Sequence, residues 1–241
     1  MLRKLEKMDK NLFVSSLKDN NIVASSEQIL LFEKIMENTI KTNEQFNLTS
    51  ITNESEFREK MIFDSILGIK FIEGENKKII DVGTGAGFPG LPLAVIDNKN
   101  EYYLLDSTKK KIDYIQKFID ENKLLNVKTI NDRVENFTLS HRENFDYGVA
   151  RAVAHLSILI ETIIPLLKVG GYFVAYKGKN VDQEILESTN AFKKLNCSIV
   201  CKNYETLPSS KEERYILVIK KDKETNKKYP RNYSLIVSKP L

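Results

Sequence analysis

Two cysteines and two histidines are all the chain offers toward metal or disulfide chemistry. Cys197 and Cys201 stand close together with no second pair, so neither a disulfide framework nor a zinc site is supported, and a reducing, cytoplasmic setting is expected. No stretch approaches the roughly 18 consecutive apolar residues of a membrane span, and the opening MLRKLEKMDKNLF holds no apolar signal core. Secretion and membrane insertion are therefore not expected. Internal repeats are missing, and the one biased segment is the lysine-rich KKDKETNKKYPR. No recognisable nucleic-acid-binding module is appended.

What remains is ordinary globular material: 241 residues, 41% hydrophobic, enough for one full-sized domain with a small appendage. The net charge of +4 is unevenly spread, because residues 201–241 hold ten Lys/Arg against five Asp/Glu. Such clustering suits a polyanion, since cations gain affinity by releasing counterions from phosphates; it equally suits a solvated tail.

Residues 1–76 read as a helical cap. In SSEQILLFEKIMENTI, Ser25 and Gln28 have capping-box spacing, and Ile29, Leu30, Phe32, Ile35 and Met36 follow a helical stripe. A second helix is expected from Asn53, carrying Phe57, Met61, Ile62, Ser65 and Ile66 toward Gly68, with the polar FNLTSI between the two. From Lys77 the pattern becomes short apolar strands alternating with amphipathic helices: KIIDVG, LPLAVI, EYYLLDS, KKKIDYIQKFIDENKLL, VKTINDR, FDYGVARAV, HLSILIETIIPLLK, GGYFVAYKG and VDQEILESTNAFKKL. Continuous apolar strands such as IIDV belong in a parallel sheet buried on both faces. The last two strands, NCSIVCKNYETL and ERYILVIKK, are joined only by turn residues and predict an antiparallel hairpin at the sheet edge. The chain thus divides into a cap, 1–76, and an α/β domain, 77–241.

Within DVGTGAGFPG, Gly85, Gly87 and Gly90 satisfy G-x-G-x-x-G, and Asp106 closes the next strand. Strand, glycines and helix start place bare backbone at the carboxyl end of the sheet, where nucleotide-like ligands bind. Read literally, this is a nicotinamide dinucleotide site and the chain an oxidoreductase. Asp81, however, puts a carboxylate beside the glycines, which repels a pyrophosphate and suits a cationic amino-acid moiety. The terminal hairpin also departs from repeated parallel winding, and the remaining residues are too few for a separate dehydrogenase substrate domain. The ammonium, sulfonium and ribose hydroxyls of S-adenosylmethionine suit Asp81 and Asp106 better.

FNLTSI (46–51), FDSI (63–66), DVGTGAGFPGLPLA (81–94), LLDS (104–107), DRVENF (132–137), FDYGVARAVA (145–154), YKG (176–178) and KYPR (228–231) together resemble the 16S ribosomal RNA guanine-N7 methyltransferase family, also called glucose-inhibited division protein B. The resemblance covers nearly the whole chain. It implies a three-layer, Rossmann-like class I methyltransferase fold and methyl transfer from S-adenosylmethionine to N7 of a guanine in 16S rRNA, in or near the small ribosomal subunit, by a monomer. Carried over by position, Gly83, Gly85, Phe88, Val134, Glu135 and Arg151 resemble cofactor contacts, alongside Asp81 and Asp106. Asn47, Asp64, Arg133, Lys177, Lys179 and Arg231 resemble substrate-side positions, with Tyr229, Pro230 and Arg231 in the C-terminal signature. Met61 stands where members usually carry histidine.

The chemistry agrees with this. Guanine N7 offers an in-plane lone pair and no proton, so its methylation needs placement and no general base. No catalytic base is expected; Arg151 and Lys177 are positioning candidates, Arg151 as a fork to guanine or a phosphate. VARAVA occupies the place where exocyclic-amine methyltransferases carry an Asn/Asp-Pro-Pro-Tyr/Phe segment, and both cysteines fall on an edge strand, away from any thiol-dependent C5 chemistry. His141 reads as a loop residue, His155 as a helix start. A non-catalytic ribosome-binding protein on the same fold is the remaining alternative.

Overall fold

The computed structural model describes residues 7–151 and 154–241, so Ala152 and Val153 of the ARAVA stretch, and residues 1–6, lie outside the described residues. Seven strands form one sheet in the order β3-β2-β1-β4-β5-β7-β6. They are β1 (Lys78–Val82), β2 (Glu101–Asp106), β3 (Val127–Asn131), β4 (Phe145–Arg151), β5 (Leu167–Lys177), β6 (Cys197–Thr206) and β7 (Glu213–Lys221). β1 to β5 run parallel, while β7 lies antiparallel between β5 and β6. The expected hairpin is present, with β6 outermost. The strand order reverses between β1 and β4, opening the crevice at their carboxyl ends that α/β sheets use for ligands.

The N-terminal helices are α1 (Lys10–Asp19), α2 (Ser26–Asn43), α3 (Glu54–Phe57) and α4 (Asp64–Ile66). Both halves of the expected capping box form on α2, with Ser25 Oγ accepting from Gln28 N and Gln28 Oε1 from Ser25 N. Asn53 caps α3 as its spacing predicts. The helix expected to run uninterrupted toward Gly68 instead passes through a π-helical stretch, Arg58–Phe63, between α3 and α4, and ends in a 3₁₀ turn, Leu67–Phe71. A wide turn is costly in isolation and is held by tertiary partners. Here Glu59, 3% exposed, accepts the backbone N–H groups of Ser209 and Ser210 in the β6–β7 turn.

The sheet is covered further by α5 (Gly90–Ile96), α6 (Lys109–Asn122), α7 (Val134–His141), α8 (Leu156–Ile163), α9 (Val181–Glu187), α10 (Thr189–Leu195) and a short α11 (Tyr233–Ser238). α7 was not legible in the sequence: only Val134, Phe137 and Thr138 are buried from its eight residues, too short a pattern to separate from the strand before it. The expected helix over VDQEILESTNAFKKL divides at Ser188, whose hydroxyl bonds back to the Glu184 carbonyl at 2.6 Å.

Alternate strand residues feed two apolar clusters, one on each face of the sheet. Ile79, Leu104, Val149 and Val174 pack with α1, α2, α5 and α6; Ile80, Leu105, Ala150 and Phe173 pack with α7, α8 and α10. The N-terminal helices therefore share a core with α5 and α6. Gln28 extends this junction by donating to the carbonyls of Val95 and Ile96 at 2.8 and 3.1 Å. Phe32 is fully buried, its ring 5.9 Å from that of Phe13. Phe32→Ala is expected to destabilise the whole chain by about 3–5 kcal/mol, read as a lower midpoint of a single urea transition. Loss of the N-terminal helices ahead of the sheet, in a separate transition, would contradict that shared core.

Candidate active site

Backbone that only glycine adopts easily makes the floor of the crevice: Gly83 and Gly85, with φ of 73° and 60°, line it, and Gly87, with φ of 99°, turns the chain behind them against Leu91 and Ile115. Gly83 and Thr84 donate to the Leu105 carbonyl, and Gly85 donates to Asp106 Oδ2 at 2.9 Å. Asp106 Oδ1 also accepts from Thr108 N at 2.8 Å, so the carboxylate at the end of β2 is fixed at the crevice edge. A Cβ built on Gly85 would meet nothing within 4 Å, which leaves room for a ligand against bare backbone. Gly90 is the opposite case. A Cβ there would fall 2.2 Å from Leu104 and 2.7 Å from Asp81, so its absence lets α5 close onto β1.

Asp81 does not face the crevice. It is 1% exposed, and its Oδ2 accepts from Thr84 Oγ1 at 2.6 Å and Gly90 N at 2.8 Å, while Oδ1 is buried without a partner. Burial pushes its pKa up to about 7, against the opposing pull of those two donors and of Arg151. The carboxylate thus braces the glycine loop from beneath.

A cleft of about 1440 Å³ opens above the loop. Among the residues expected at the site, Gly83, Gly85, Phe88, Asp106, Val134, Glu135, Arg151, Asp64, Arg133 and Lys177 line it, whereas Asp81, Asn47, Lys179 and Arg231 do not. Asn47 is exposed beside the lining segment Leu48–Ile51, which Asn43 holds by accepting from Leu48 N and Thr49 N at 2.7 and 2.9 Å. Arg231 pairs instead with fully buried Glu161, at 2.7 and 2.6 Å, and anchors the C-terminal segment. Lys177 is buried, donating to Glu184 at 2.6 Å and to the Ala154 carbonyl at 3.0 Å. Its charge is spent inside the protein.

Arg151 sits at the centre of the opposite wall. Its Nη1 donates to the carbonyls of Lys60 and Met61 at 2.5 and 3.5 Å and lies 3.4 Å from Asp64 Oδ2, its Nη2 reaches Met61 Sδ at 3.5 Å, and the guanidinium lies over the Phe88 ring. Met61 therefore takes a contact from the same arginine. Arg214, from β7, joins Asp64 Oδ2 at 3.1 Å and Glu212 at 2.8 Å, and Glu212 also pairs with Lys60. Sequence reasoning missed Arg214. The available signal was strand alternation, which puts it in phase with buried Ile216 and Val218, on the face a charge rarely occupies. His155 caps α8 as expected, and its Nε2 faces Glu187 at 2.8 Å; His141 ends α7, stacked on Phe137.

Residues 28–226 match the family model for rRNA small subunit methyltransferase G. The chain belongs to this family. Proteins named ribosomal RNA small subunit methyltransferase G from Fusobacterium nucleatum and Limosilactobacillus reuteri are 42% and 39% identical, covering 86% and 97% of this chain and 89% and 100% of their own. Two solved structures share the fold at 16% identity and TM-score 0.53: a SAM-dependent methyltransferase from Aquifex aeolicus, covering 68% of this chain and 93% of that one, and M. jannaschii TYW2 in complex with AdoMet, covering 66% and 76%. Membership in the methyltransferase G family displaces the nicotinamide reading of the glycine pattern, which fits a class I methyltransferase sheet equally well.

The buried carboxylate of this rRNA methyltransferase makes a pH prediction. A folded pKa near 7 lies above the ordinary carboxylate value of about 4, so the folded state binds the Asp81 proton more tightly, and the resulting stability is complete below pH 4 and lost as pH rises through 7. Urea unfolding of wild type and Asp81→Asn across pH 4–8 is expected to show wild type losing stability relative to the variant between about pH 4 and 7. Parallel curves would contradict the burial of an ionisable group there.

Proposed function

We propose that this protein transfers the methyl group of S-adenosylmethionine to N7 of a guanine in 16S rRNA, presented in or near the small ribosomal subunit. The observation that carries the reading is the glycine-floored cleft, edged by Asp106 and walled by Arg151, in a chain of the rRNA small subunit methyltransferase G family. Single-ligand pockets run to about 300–1,000 Å³, and a cleft of about 1440 Å³ has room for a cofactor and a nucleotide together.

The residues present suit S-adenosylmethionine: open backbone at Gly85, an anchored carboxylate at Asp106 for ribose hydroxyls, and the apolar ring of Phe88. When bound, that group supplies an electrophilic methyl on sulfur. The glycine loop, braced by Asp81, would hold its amino-acid end. Arg151, tied through Nη1 to Lys60 and Asp64, presents its remaining donors to the guanine O6 and so orients the ring with N7 toward the methyl. Lys177 holds the Ala154 carbonyl and Glu184, fixing the segment after β4. N7 carries no proton, so no side chain need act as a base. Lys179 and Asn47 beside the cleft contribute to RNA contact, and residues 1–76 serve as the cap on a catalytic domain of 77–241. No helix among the described residues is long and apolar enough to cross a membrane. We place the protein in the cytoplasm, where its ribosomal substrate is, acting as a monomer.

Labelled methyl transfer from S-adenosylmethionine to small subunits lacking the modification is expected to yield 7-methylguanosine in 16S rRNA. Label on another nucleoside, or none despite cofactor binding, would refute the assignment. Short naked RNA is expected to be methylated at least 10-fold more slowly than subunits, because without a dedicated RNA module recognition depends on ribosome shape. Equal rates would refute that.

A further inference from the structure

Between β3 and the C-terminal helix the cleft has a wall that the reaction does not yet use. Tyr233, the first residue of α11, lines the cleft, and the Arg133 guanidinium lies 5.6 Å from its ring centroid. Arg133 is itself held to Glu135, Nε to Oε1, at 3.0 Å. The two residues are a hundred positions apart in the chain and meet only because the segment after β7 is strapped back over the domain. Arg142 donates to the carbonyls of Tyr229 and Thr225, Arg231 grips Glu161 and the Lys239 carbonyl, Ile236 is fully buried, and Asn232 caps α11. A six-residue helix has little stability of its own, so these anchors point to a ring that is held in place.

We infer that Tyr233 and Arg133 form the closing wall for the adenine ring of S-adenosylmethionine. The inference rests on that cofactor reading and deepens it. The sheet order sets the direction: the glycines follow β1, Asp106 ends β2, and residues 132–135 follow β3, one strand further out. With the amino-acid end over the glycines and the ribose at Asp106, the base lies over the end of β3, beside Val134 and Leu159. A flat purine there meets an aromatic ring and a guanidinium plane, two surfaces on which bases stack.

The test is calorimetric binding of S-adenosylhomocysteine, which retains the adenosine and transfers no methyl, to the full chain and to Tyr233→Ala, Tyr233→Phe, Arg133→Ala and their double variant. Leu235→Ala, on the same helix, exposed and off the cleft, is the control. Stacking of a base on an aromatic ring is worth about 1–3 kcal/mol, so Tyr233→Ala is expected to weaken binding by about 5- to 150-fold, with Tyr233→Phe and Leu235→Ala within about twofold of wild type. Arg133→Ala is expected to weaken it less, and the double variant by less than the product of the two. Unchanged affinity in Tyr233→Ala would overturn the inference, as would an equal loss in Leu235→Ala, which would indicate helix packing alone. An effect confined to the KM for small subunits would overturn it in favour of an RNA base. Wild type that fails to bind S-adenosylhomocysteine would instead overturn the cofactor reading on which the wall depends.

Discussion

One buried carboxylate oxygen, Oδ2 of Asp81, joins the end of β1 to the loop and helix that follow. By accepting from both Thr84 and Gly90 it fixes the turn between them, and with the turn the glycine-loop backbone that faces the cleft. The arrangement is costly: the second oxygen is buried without a partner, and burial raises the pKa of the group. Gly90 makes it geometrically possible, since any side chain there would strike the carboxylate itself. A strand, the acid near its end and a missing Cβ together set the glycine loop.

A second constraint is a run of charges across the cleft's other wall. Lys60, Glu212, Arg214, Asp64 and Arg151 alternate in sign from the π-helical turn through the β6–β7 hairpin to the end of β4. Breaking a pair like Asp64 with its two arginines would strand buried charge, so the value of the chain lies in fixing relative positions more than in net stability. It explains why the wide turn at Arg58–Phe63 exists: it turns carbonyls of Lys60 and Met61 toward Arg151 and Glu59 toward the hairpin. The N-terminal helices and the terminal hairpin, far apart in sequence, both shape the wall that holds Arg151.

The parallel strands, the capping box at Ser25 and Gln28, the glycine loop with Asp106, and the hairpin were legible because each is written in residues close together. Local rules govern them: apolar runs, cap spacing, positive φ at glycine, turn residues between strands. α7 was missed because eight residues do not display a helical period against the strand before them. Spacing shows that an acid adjoins the glycines and not which way the strand turns it, so the sequence alone does not reveal that Asp81 lies buried beneath the loop. Lys177 and Arg231 resemble substrate-side positions in the sequence, which does not show that packing gives them Glu184 and Glu161 as partners.

By itself, then, the sequence determined the α/β class, the position of the glycine loop after the first strand and, through motifs shared along nearly the whole chain, the family. Only the tertiary structure decided which charged residues reach the cleft and which are spent on one another. The reason is physical: a charge is directed by whichever opposite charge or donor the fold places within hydrogen-bond reach, and Arg214 on Asp64 or Arg133 against Tyr233 are meetings that no local pattern encodes.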